Sequence, residues 1–279
     1  MDINPEPASA SHIVADMERA LARGEFFFLY QPRVLLPEAQ ICGFEALMRW
    51  RHPSDGVLEP SRFISVVEDS RLAGAFTDFL LAGASATLAQ WKARGHDFLT
   101  LAVNLSVSEL SRPDLPSRLN QLLLDHQLAA DRLTIELTGV VEPARLNFLE
   151  NAINAVRATG VRVALDNFGA GFASLTLLHQ LPVDILKMDR SLIRDVPDHG
   201  EARCILETLV RLGQRLGKHI VLEGVETESQ YQWAREQPHV ECQGFYLSKP
   251  LSGDRVEALI GQSQGLGLVK RSSQSRDAT

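Results

Sequence analysis

Short apolar segments alternate with longer amphipathic segments over most of this sequence, and the alternation limits the folds that the chain can adopt. The apolar segments include FLTLAVNLS, RLTIEL, VRVALD, VDILKMD and HIVLEG. Residues 74–93, 143–159 and 201–217 lie between such segments and carry apolar residues at helical spacing. Near-continuous apolar strands alternating with helices indicate a parallel sheet that is covered on both faces. About eight such units in about 250 residues favour a closed (β/α)8 barrel over an open sheet.

The beginning of the chain departs from this alternation. The strand-like runs FFFLYQPRVLL and QICGFEALMRW are separated only by PEAQ, which predicts an antiparallel pair. We predict further helices at residues 60–69, 115–127 and 227–236, and others that start at residues 174 and 253. A helix is also expected in SHIVADMERALARG, with Ser11 as its N-cap.

The ends of the sequence are polar and set the expected domain boundaries. Residues 1–11 contain prolines and predict a disordered leader, and residues 264–279 predict a flexible tail. One barrel domain is expected over residues 12–263.

Charge and cysteine content exclude several functional classes. The net charge is −7 without a basic block, so we expect no DNA binding. The three cysteines are scattered, which indicates neither a disulfide framework nor a zinc site. The N-terminus lacks a signal peptide pattern, and the most apolar helical stretch contains Asp78. We therefore expect a cytoplasmic protein that does not enter a membrane.

Polar side chains stand where the predicted strands end, and in a barrel this edge carries function. They are Glu45, Asn104, Glu136, Asp166, Lys187, Glu223 and Gln243. Carboxylates gathered at one mouth repel one another unless cations are present. Oxygen ligands of this kind suit Mg²⁺, Mn²⁺ or Ca²⁺.

Each of these residues also has a structural interpretation when it is taken alone. Asn104 could cap the following turn, Lys187 could pair with Asp184 or Asp189 at the surface, and Arg49 could line a solvated edge. Other chemistries have weaker support: FGAGFAS lacks the third glycine of a dinucleotide loop, and neither GxSxG nor a P-loop is present. The repetition over successive strand ends favours a shared site.

Several ordered motifs resemble the EAL domains, a family of phosphodiesterases that cleave cyclic di-GMP. They are YQP at 30–32, GFEALMRW at 43–50, NLS at 104–106, IELT at 135–138, DNFGAGFASL at 166–175, LKMDRSLI at 186–193, LEGVET at 222–227 and QGFYLSKPL at 243–251. The resemblance covers roughly residues 14–262. It implies an α/β fold, a modified TIM (β/α)8 barrel with an antiparallel first strand.

The resemblance also implies roles for individual residues. The family's metal ligands match Glu45, Asn104, Glu136, Asp166 and Glu223. Its catalytic residues match Glu45 and Lys187. Gln31, Arg49 and Gln243 match substrate-binding positions, and Asp189 and Glu226 match supporting acids. The implied reaction uses two Mg²⁺ or Mn²⁺ ions to hydrolyse cyclic di-GMP to linear pGpG. A homodimer and a protein regulator are further implied partners.

Two positions depart from the family pattern. Asn167 replaces the usual second aspartate, which implies a weak second metal site, and Gly139 replaces an acid that braces the adjacent loop. The primary hypothesis is therefore a phosphodiesterase with weakened activity. The alternative is a catalytically degenerate receptor for cyclic di-GMP or a protein-binding regulator. A third interpretation, an enolase-like carboxylate–lysine barrel, has no support in the EALMRW run.

Overall fold

The computed structural model describes residues 10–68, 70–138, 145–170, 174–196 and 198–265. Its strands are β1 (Phe26–Leu35), β2 (Gln40–His52), β3 (Gly56–Leu58), β4 (Thr100–Ser106), β5 (Leu133–Thr138), β6 (Arg162–Phe168), β7 (Ile185–Met188), β8 (His219–Leu222) and β9 (Val240–Cys242). Its α-helices are α1 (Ala10–Arg23), α2 (Ile64–Glu68), α3 (Ala73–Ala93), α4 (Val107–Leu110), α5 (Leu115–Asp125), α6 (Leu146–Arg157), α7 (Ser174–Gln180), α8 (Arg190–Arg194), α9 (Gly200–Arg215), α10 (Glu228–Arg235) and α11 (Gly253–Gly265). Short 3₁₀ turns cover Pro60–Arg62 and Ala130–Arg132.

Eight of these strands close into a barrel. The hydrogen-bonded order is β1-β9-β8-β7-β6-β5-β4-β2, and β1 pairs with β2 to complete the ring. The strand β1 runs antiparallel to both of its neighbours, whereas the other barrel pairs are parallel. The short strand β3 extends β2 outside the ring. The predicted barrel with its antiparallel first strand is confirmed.

The strands and helices form because their apolar residues face one shared core. All four residues of β7 are buried, as expected for a parallel strand covered on both faces. On α6, Leu146, Leu149, Ile153 and Val156 are buried at helical spacing, so one face of this helix packs on the barrel.

A second apolar cluster forms where the β1–β2 hairpin extends past the barrel mouth. Phe26 pairs with Trp50, and both pack with Phe63, Phe76 and Met17 beneath α1, α2 and α3. The rings of Phe26 and Trp50 stack with centroids 5.3 Å apart. This cluster holds the end of β2, and therefore the residues that follow Glu45, over one side of the mouth.

Several local predictions differ from the structure. The expected helix over residues 60–69 is divided into a 3₁₀ turn and α2, because Pro60 begins a separate turn. Ser11 lies inside α1 and not at its N-cap. At the other end α11 continues to Gly265, two residues past the predicted domain boundary. Residues 1–9 and 266–279 lie outside the described residues. Within the described part of the chain, no helix combines the length and apolar character needed to cross a bilayer.

Candidate active site

The carboxyl ends of the parallel strands bring the predicted polar residues to one mouth of the barrel. Strand register places Gln31 opposite Glu45, and Asn104 beside Glu136. Because alternate residues of a strand point to the same side, each strand directs one of these side chains into the barrel. The side chains of Glu45, Glu136 and Lys187 are buried there.

The ammonium of Lys187 lies at the centre of four carboxylates. Its Nζ is 2.6 Å from Glu136 Oε2, 2.8 Å from Glu223 Oε1, 3.2 Å from Glu45 Oε2 and 3.5 Å from Asp166 Oδ1. Lys187 and these four acids are called the Lys187 cluster below. The alternative of a surface pairing is wrong, since Asp184 pairs with Arg157 and Asp189 caps α8.

Side-chain amides hold one member of the cluster in place. Asn104 Nδ2 donates to Glu45 Oε1 at 2.8 Å, and Gln243 Nε2 donates to Glu45 Oε2 at 2.7 Å. Gln243 Nε2 also donates to Gln31 Oε1 at 3.0 Å. Asn104 therefore belongs to the site, and the turn after β4 is capped by Ser106 instead.

The charges within the Lys187 cluster shift the pKa values of its members in different directions. Burial raises the pKa of Glu45, but Lys187 and the two amides outweigh it and lower the pKa to about 2. Burial lowers the pKa of Lys187, but the charges of Glu136, Glu45, Glu223 and Asp166 together raise it well above its ordinary value. Lys187 therefore stays an ammonium and donates hydrogen bonds.

The pKa values of two other carboxyl groups in the cluster are raised, unlike that of Glu45. Burial and the neighbouring charge of Glu45 raise the pKa of Glu136 well above its ordinary value, although Lys187 opposes this. Burial raises the pKa of Glu223 to about 7, with Lys187 opposing and Asp166 contributing to the rise. The Lys187 cluster therefore favours protons on part of its acids, as expected where one ammonium serves four carboxylates.

The donor set fits a hard divalent cation. Among the described residues, Glu136 Oε1, Asp166 Oδ1 and Gln243 Oε1 are buried oxygens without a hydrogen-bond donor. Carboxylate and amide oxygens are the ligands that Mg²⁺, Mn²⁺ and Ca²⁺ prefer. In the same part of the chain no trio of acidic, histidine or cysteine side chains is already arranged around a cation position. The acids instead turn toward Lys187.

Asn167 contacts the acid that precedes it. Its Nδ2 donates to Asp166 Oδ2 at 2.8 Å, and its backbone adopts a positive φ of 53°. Asparagine and aspartate tolerate this left-handed conformation better than most residues. The amide therefore occupies one oxygen of Asp166 that an aspartate at position 167 would leave free. The other departure, Gly139, lies outside the described residues.

Three predicted site residues lie beyond both the Lys187 cluster and the amides around it, which are those of Gln31, Asn104, Asn167 and Gln243. Arg49 Nη1 donates to the Met48 carbonyl at 2.8 Å, and its Nη2 lies 3.7 Å from Glu59 Oε1. Asp189 accepts from the Ser191 backbone N–H at 2.8 Å and thereby caps α8. Glu226 is exposed at the mouth.

Two unlike pockets flank the Lys187 cluster. The polar pocket, of about 230 Å³, is lined by Gln31, Glu223 and Gln243 of the site and by Asn167, Asp189, Arg190, Glu226 and Phe245. The apolar pocket, of about 220 Å³, shares Asn104 with the site and is lined mainly by Leu47, Met48, Pro60, Ile64 and Phe76. Sequence reasoning missed Arg190 and Phe245. Their signal was their position shortly after a strand, since Arg190 lies two residues past the end of β7 and Phe245 three residues past the end of β9.

Comparison with known proteins supports the resemblance to the EAL domains. A sequence model of the EAL domain matches residues 14–250. An uncharacterized signaling protein of Caulobacter vibrioides is 36% identical over 88% of this chain and 30% of its own length. The cyclic di-GMP phosphodiesterase NbdA of Pseudomonas aeruginosa is 35% identical over 88% of this chain and 31% of its own length. The chain thus spans about a third of these curated relatives.

A solved structure gives the same result in three dimensions. The phosphodiesterase PaMucR, in complex with c-di-GMP, superposes with a TM-score of 0.80 at 31% identity. The match covers 88% of this chain and 99% of that one. The antiparallel first strand, the acids at the barrel mouth and a family match over most of the sequence agree, and the chain belongs to the EAL domain family.

Proposed function

We propose that this chain is a divalent-metal-dependent phosphodiesterase that hydrolyses cyclic di-GMP to linear pGpG. The observation that carries the proposal is the Lys187 cluster, in which four acids from different strands meet around one ammonium. Its relative NbdA is named a cyclic di-GMP phosphodiesterase, and the similar PaMucR was solved with c-di-GMP. Since the chain spans about a third of its curated relatives, the proposal concerns this domain.

The residues that would hold the cations are the acids of the cluster and the amide beside them. They are Glu45, Asn104, Glu136, Asp166 and Glu223, with Asn167 as a weak contributor to a second site. Glu136 Oε1 and Asp166 Oδ1, which accept no hydrogen bond from the described residues, support this assignment. When bound, Mg²⁺ or Mn²⁺ acidifies water and offsets negative charge on phosphoryl oxygens.

The chain's own residues supply position and charge. Lys187, held as an ammonium, donates a hydrogen bond that orients a water molecule for attack on phosphorus. Arg49 lies on the same face of β2 as Glu45, four residues further along, and its guanidinium binds a phosphate oxygen. Gln31 and Gln243 keep Glu45 from turning toward solvent.

A second candidate function is a receptor that binds cyclic di-GMP without cleaving it. The observation that favours it is the hydrogen bond from Asn167 to Asp166, which removes one acceptor oxygen from the ligand set. An amide ligand also carries no charge, so a second cation is held less strongly. A homodimer and a protein regulator remain predictions for either function.

Incubation of the purified chain with cyclic di-GMP separates the two functions. Mg²⁺, Mn²⁺ or EDTA is added, pGpG is followed by chromatography, and binding of the intact dinucleotide is measured in parallel. A phosphodiesterase releases pGpG with either metal and none with EDTA. A receptor binds the dinucleotide in all three conditions and releases no product.

A further inference from the structure

A narrow backbone seam closes the barrel between β1 and β9. Its pairing joins residues 34–35 of β1 to residues 241–242 of β9. Nearer the mouth, Tyr30 pairs instead with Leu251 of a later segment. Within the described part of the chain, residues 31–33 of β1 therefore have β2 as their only paired strand. Side chains have to connect β1 to β9 over this stretch.

Two pairs of side chains connect the strands there, one above the other. Gln243 Nε2 donates to Gln31 Oε1 at 3.0 Å and to Glu45 Oε2 at 2.7 Å. One step of the same strands further from the mouth, Arg33 Nη1 lies 3.6 Å from Glu241 Oε2. Because alternate residues of a strand point to the same side, both pairs face the inside of the barrel. The ion pair therefore lies beneath the amide pair that holds Glu45.

The guanidinium of Arg33 also contacts a third strand. Its Nη2 donates to Thr100 Oγ1 on β4 at 2.7 Å. Gly43 pairs with Arg33 across β1 and β2, and a Cβ at position 43 would lie 2.1 Å from Thr100 Oγ1 and 3.1 Å from Arg33 Nη2. The missing side chain of Gly43 therefore leaves room for this contact. Since a guanidinium presents its donors in a rigid plane, one arginine can hold β4 and β9 at fixed positions.

Stability alone does not account for an arginine at this position. Arg33 is 2% exposed, and neither its Nε nor Glu241 Oε2 has a hydrogen-bond partner among the described residues. A buried ion pair with unmet hydrogen bonds adds little stability, because apolar residues of similar size can pack in its place at no loss. The contacts of the guanidinium instead fix where the neighbouring strands lie.

We propose that Arg33 is a positioning residue of the active site. It holds β4 and β9, the strands that carry Asn104 and Gln243, and these two amides donate to the two oxygens of Glu45. Arg33 therefore acts on Glu45 through the amides and touches neither substrate nor cation. The inference rests on the proposed function, in which Glu45 is a metal ligand.

The charge of Arg33 and its contacts have opposite effects on metal binding. A positive group beneath the acids repels a divalent cation at the mouth, so removal of the charge alone would strengthen binding. Loss of the contacts to β4 and β9 instead releases Glu45 from its fixed position and weakens binding. The sign of the change therefore distinguishes a positioning role from an effect of charge.

The affinity for Mn²⁺, measured by electron paramagnetic resonance at pH 8, tests this role without any need for turnover. The variants are Arg33→Met, Arg33→Met/Glu241→Met, Gln243→Ala and Arg33→Met/Gln243→Ala. Arg157→Met is the matched control, since it removes a different ion pair, that with Asp184 before β7. Urea unfolding in EDTA gives the stability of each variant.

Arg33→Met is expected to weaken Mn²⁺ binding about tenfold and to lower the urea midpoint, because Glu241 loses its cation. In Arg33→Met/Glu241→Met the midpoint returns close to that of the wild type, whereas Mn²⁺ binding stays about tenfold weaker. Gln243→Ala weakens binding by a similar factor. The addition of Arg33→Met to it weakens binding by less than about threefold more, since both substitutions act on Glu45. Arg157→Met lowers the midpoint and leaves the affinity unchanged.

Unchanged or tighter Mn²⁺ binding in Arg33→Met would overturn the positioning role, as would an affinity that recovers together with stability in Arg33→Met/Glu241→Met. The double variant decides the question if Arg33→Met does not fold. Losses that multiply when Arg33→Met is combined with Gln243→Ala would also overturn it. Failure of the proposed function is a different result: a wild type that binds Mn²⁺ and releases no pGpG is no phosphodiesterase, and the affinities still decide the role of Arg33. A wild type that binds no Mn²⁺ overturns both proposals.

Discussion

The side-chain amide of Asn167 donates a 2.8 Å hydrogen bond to Asp166 Oδ2. Asp166 Oδ1 is buried and has no hydrogen-bond donor among the described residues. One oxygen of this acid therefore accepts a hydrogen bond from Asn167, while the other lies 3.5 Å from Lys187 Nζ. The identity of residue 167 decides how much of Asp166 a second cation can use.

Restoring an acid at this position is expected to strengthen the second site. Asn167→Asp removes the donor to Asp166 and adds a charged oxygen, so turnover of cyclic di-GMP at limiting Mg²⁺ rises about tenfold or more. The rate is measured across a Mg²⁺ titration. Asn167→Gly is the control, because it keeps the positive φ and frees Asp166 without adding a ligand. A rate in Asn167→Asp that is unchanged or lower contradicts this role for residue 167.

Removal of the central ammonium is expected to affect both stability and activity. Lys187→Met leaves buried acids without their cation, which lowers the free energy of unfolding in EDTA by about 3–5 kcal/mol. Mn²⁺ restores part of that loss because it supplies positive charge to the same acids. Urea unfolding with and without Mn²⁺ measures both the loss in the free energy of unfolding and its partial recovery. Lys218→Met is the control, since Lys218 donates to the Val183 carbonyl far from the cluster. Equal effects of the two substitutions would argue against a central role for Lys187.

Metal affinity is expected to depend on pH near neutrality. Burial raises the pKa of Glu223 to about 7, so this acid is largely protonated below that pH and must lose its proton to bind a cation. Affinity for Mn²⁺ therefore rises with pH, by up to about tenfold per unit below pH 7, and levels off above it. Titrations followed by electron paramagnetic resonance at pH 6, 7 and 8 measure the slope. Glu223→Gln reduces that slope, and a pH-independent affinity in the wild type would be inconsistent with the account.

Close packing below the mouth makes one glycine necessary. A Cβ on Gly43 would lie 2.1 Å from Thr100 Oγ1 and 2.6 Å from the Thr100 carbonyl oxygen. Gly43→Ala therefore forces β2 and β4 apart and lowers the free energy of unfolding by about 1–3 kcal/mol. Chemical denaturation measures the loss. Gly200→Ala is the control, since a Cβ added at position 200 would meet no atom within 4 Å. Equal stability of the two variants would contradict the packing described for this pair of strands.

The residues of the cluster could be found from the sequence because a barrel brings strand ends together whatever the details of packing. Glu136 and Asp166 each lie two residues before the end of an apolar strand, so the strand pattern predicts that they meet at the barrel mouth. The position of Lys187 could not be deduced in the same way, since nearby acids at positions 184 and 189 offered surface partners. The answer depends on which side chains of β7 point into the barrel. A four-residue strand has too few alternating residues to predict this from the sequence.

Other features depend on contacts between distant segments. Asn104 was an equally good candidate for a turn cap, but Ser106 and Glu109 form a capping box and leave the amide for Glu45. That box was visible in the sequence as Ser-x-x-Glu. The contact of Gly224 with Arg190 was not, because Gly224 follows β8 whereas Arg190 begins α8, and the two residues meet only when the barrel closes.

Hydrolysis of cyclic di-GMP in water enriched in ¹⁸O tests the central claim most directly. The wild type with Mg²⁺ should release pGpG that carries one ¹⁸O atom on its terminal phosphate, as mass spectrometry would show. Glu45→Gln, which removes one charge from the Lys187 cluster, should release none above background. Intact dinucleotide after incubation with the wild type, or equal product from both proteins, would contradict the account.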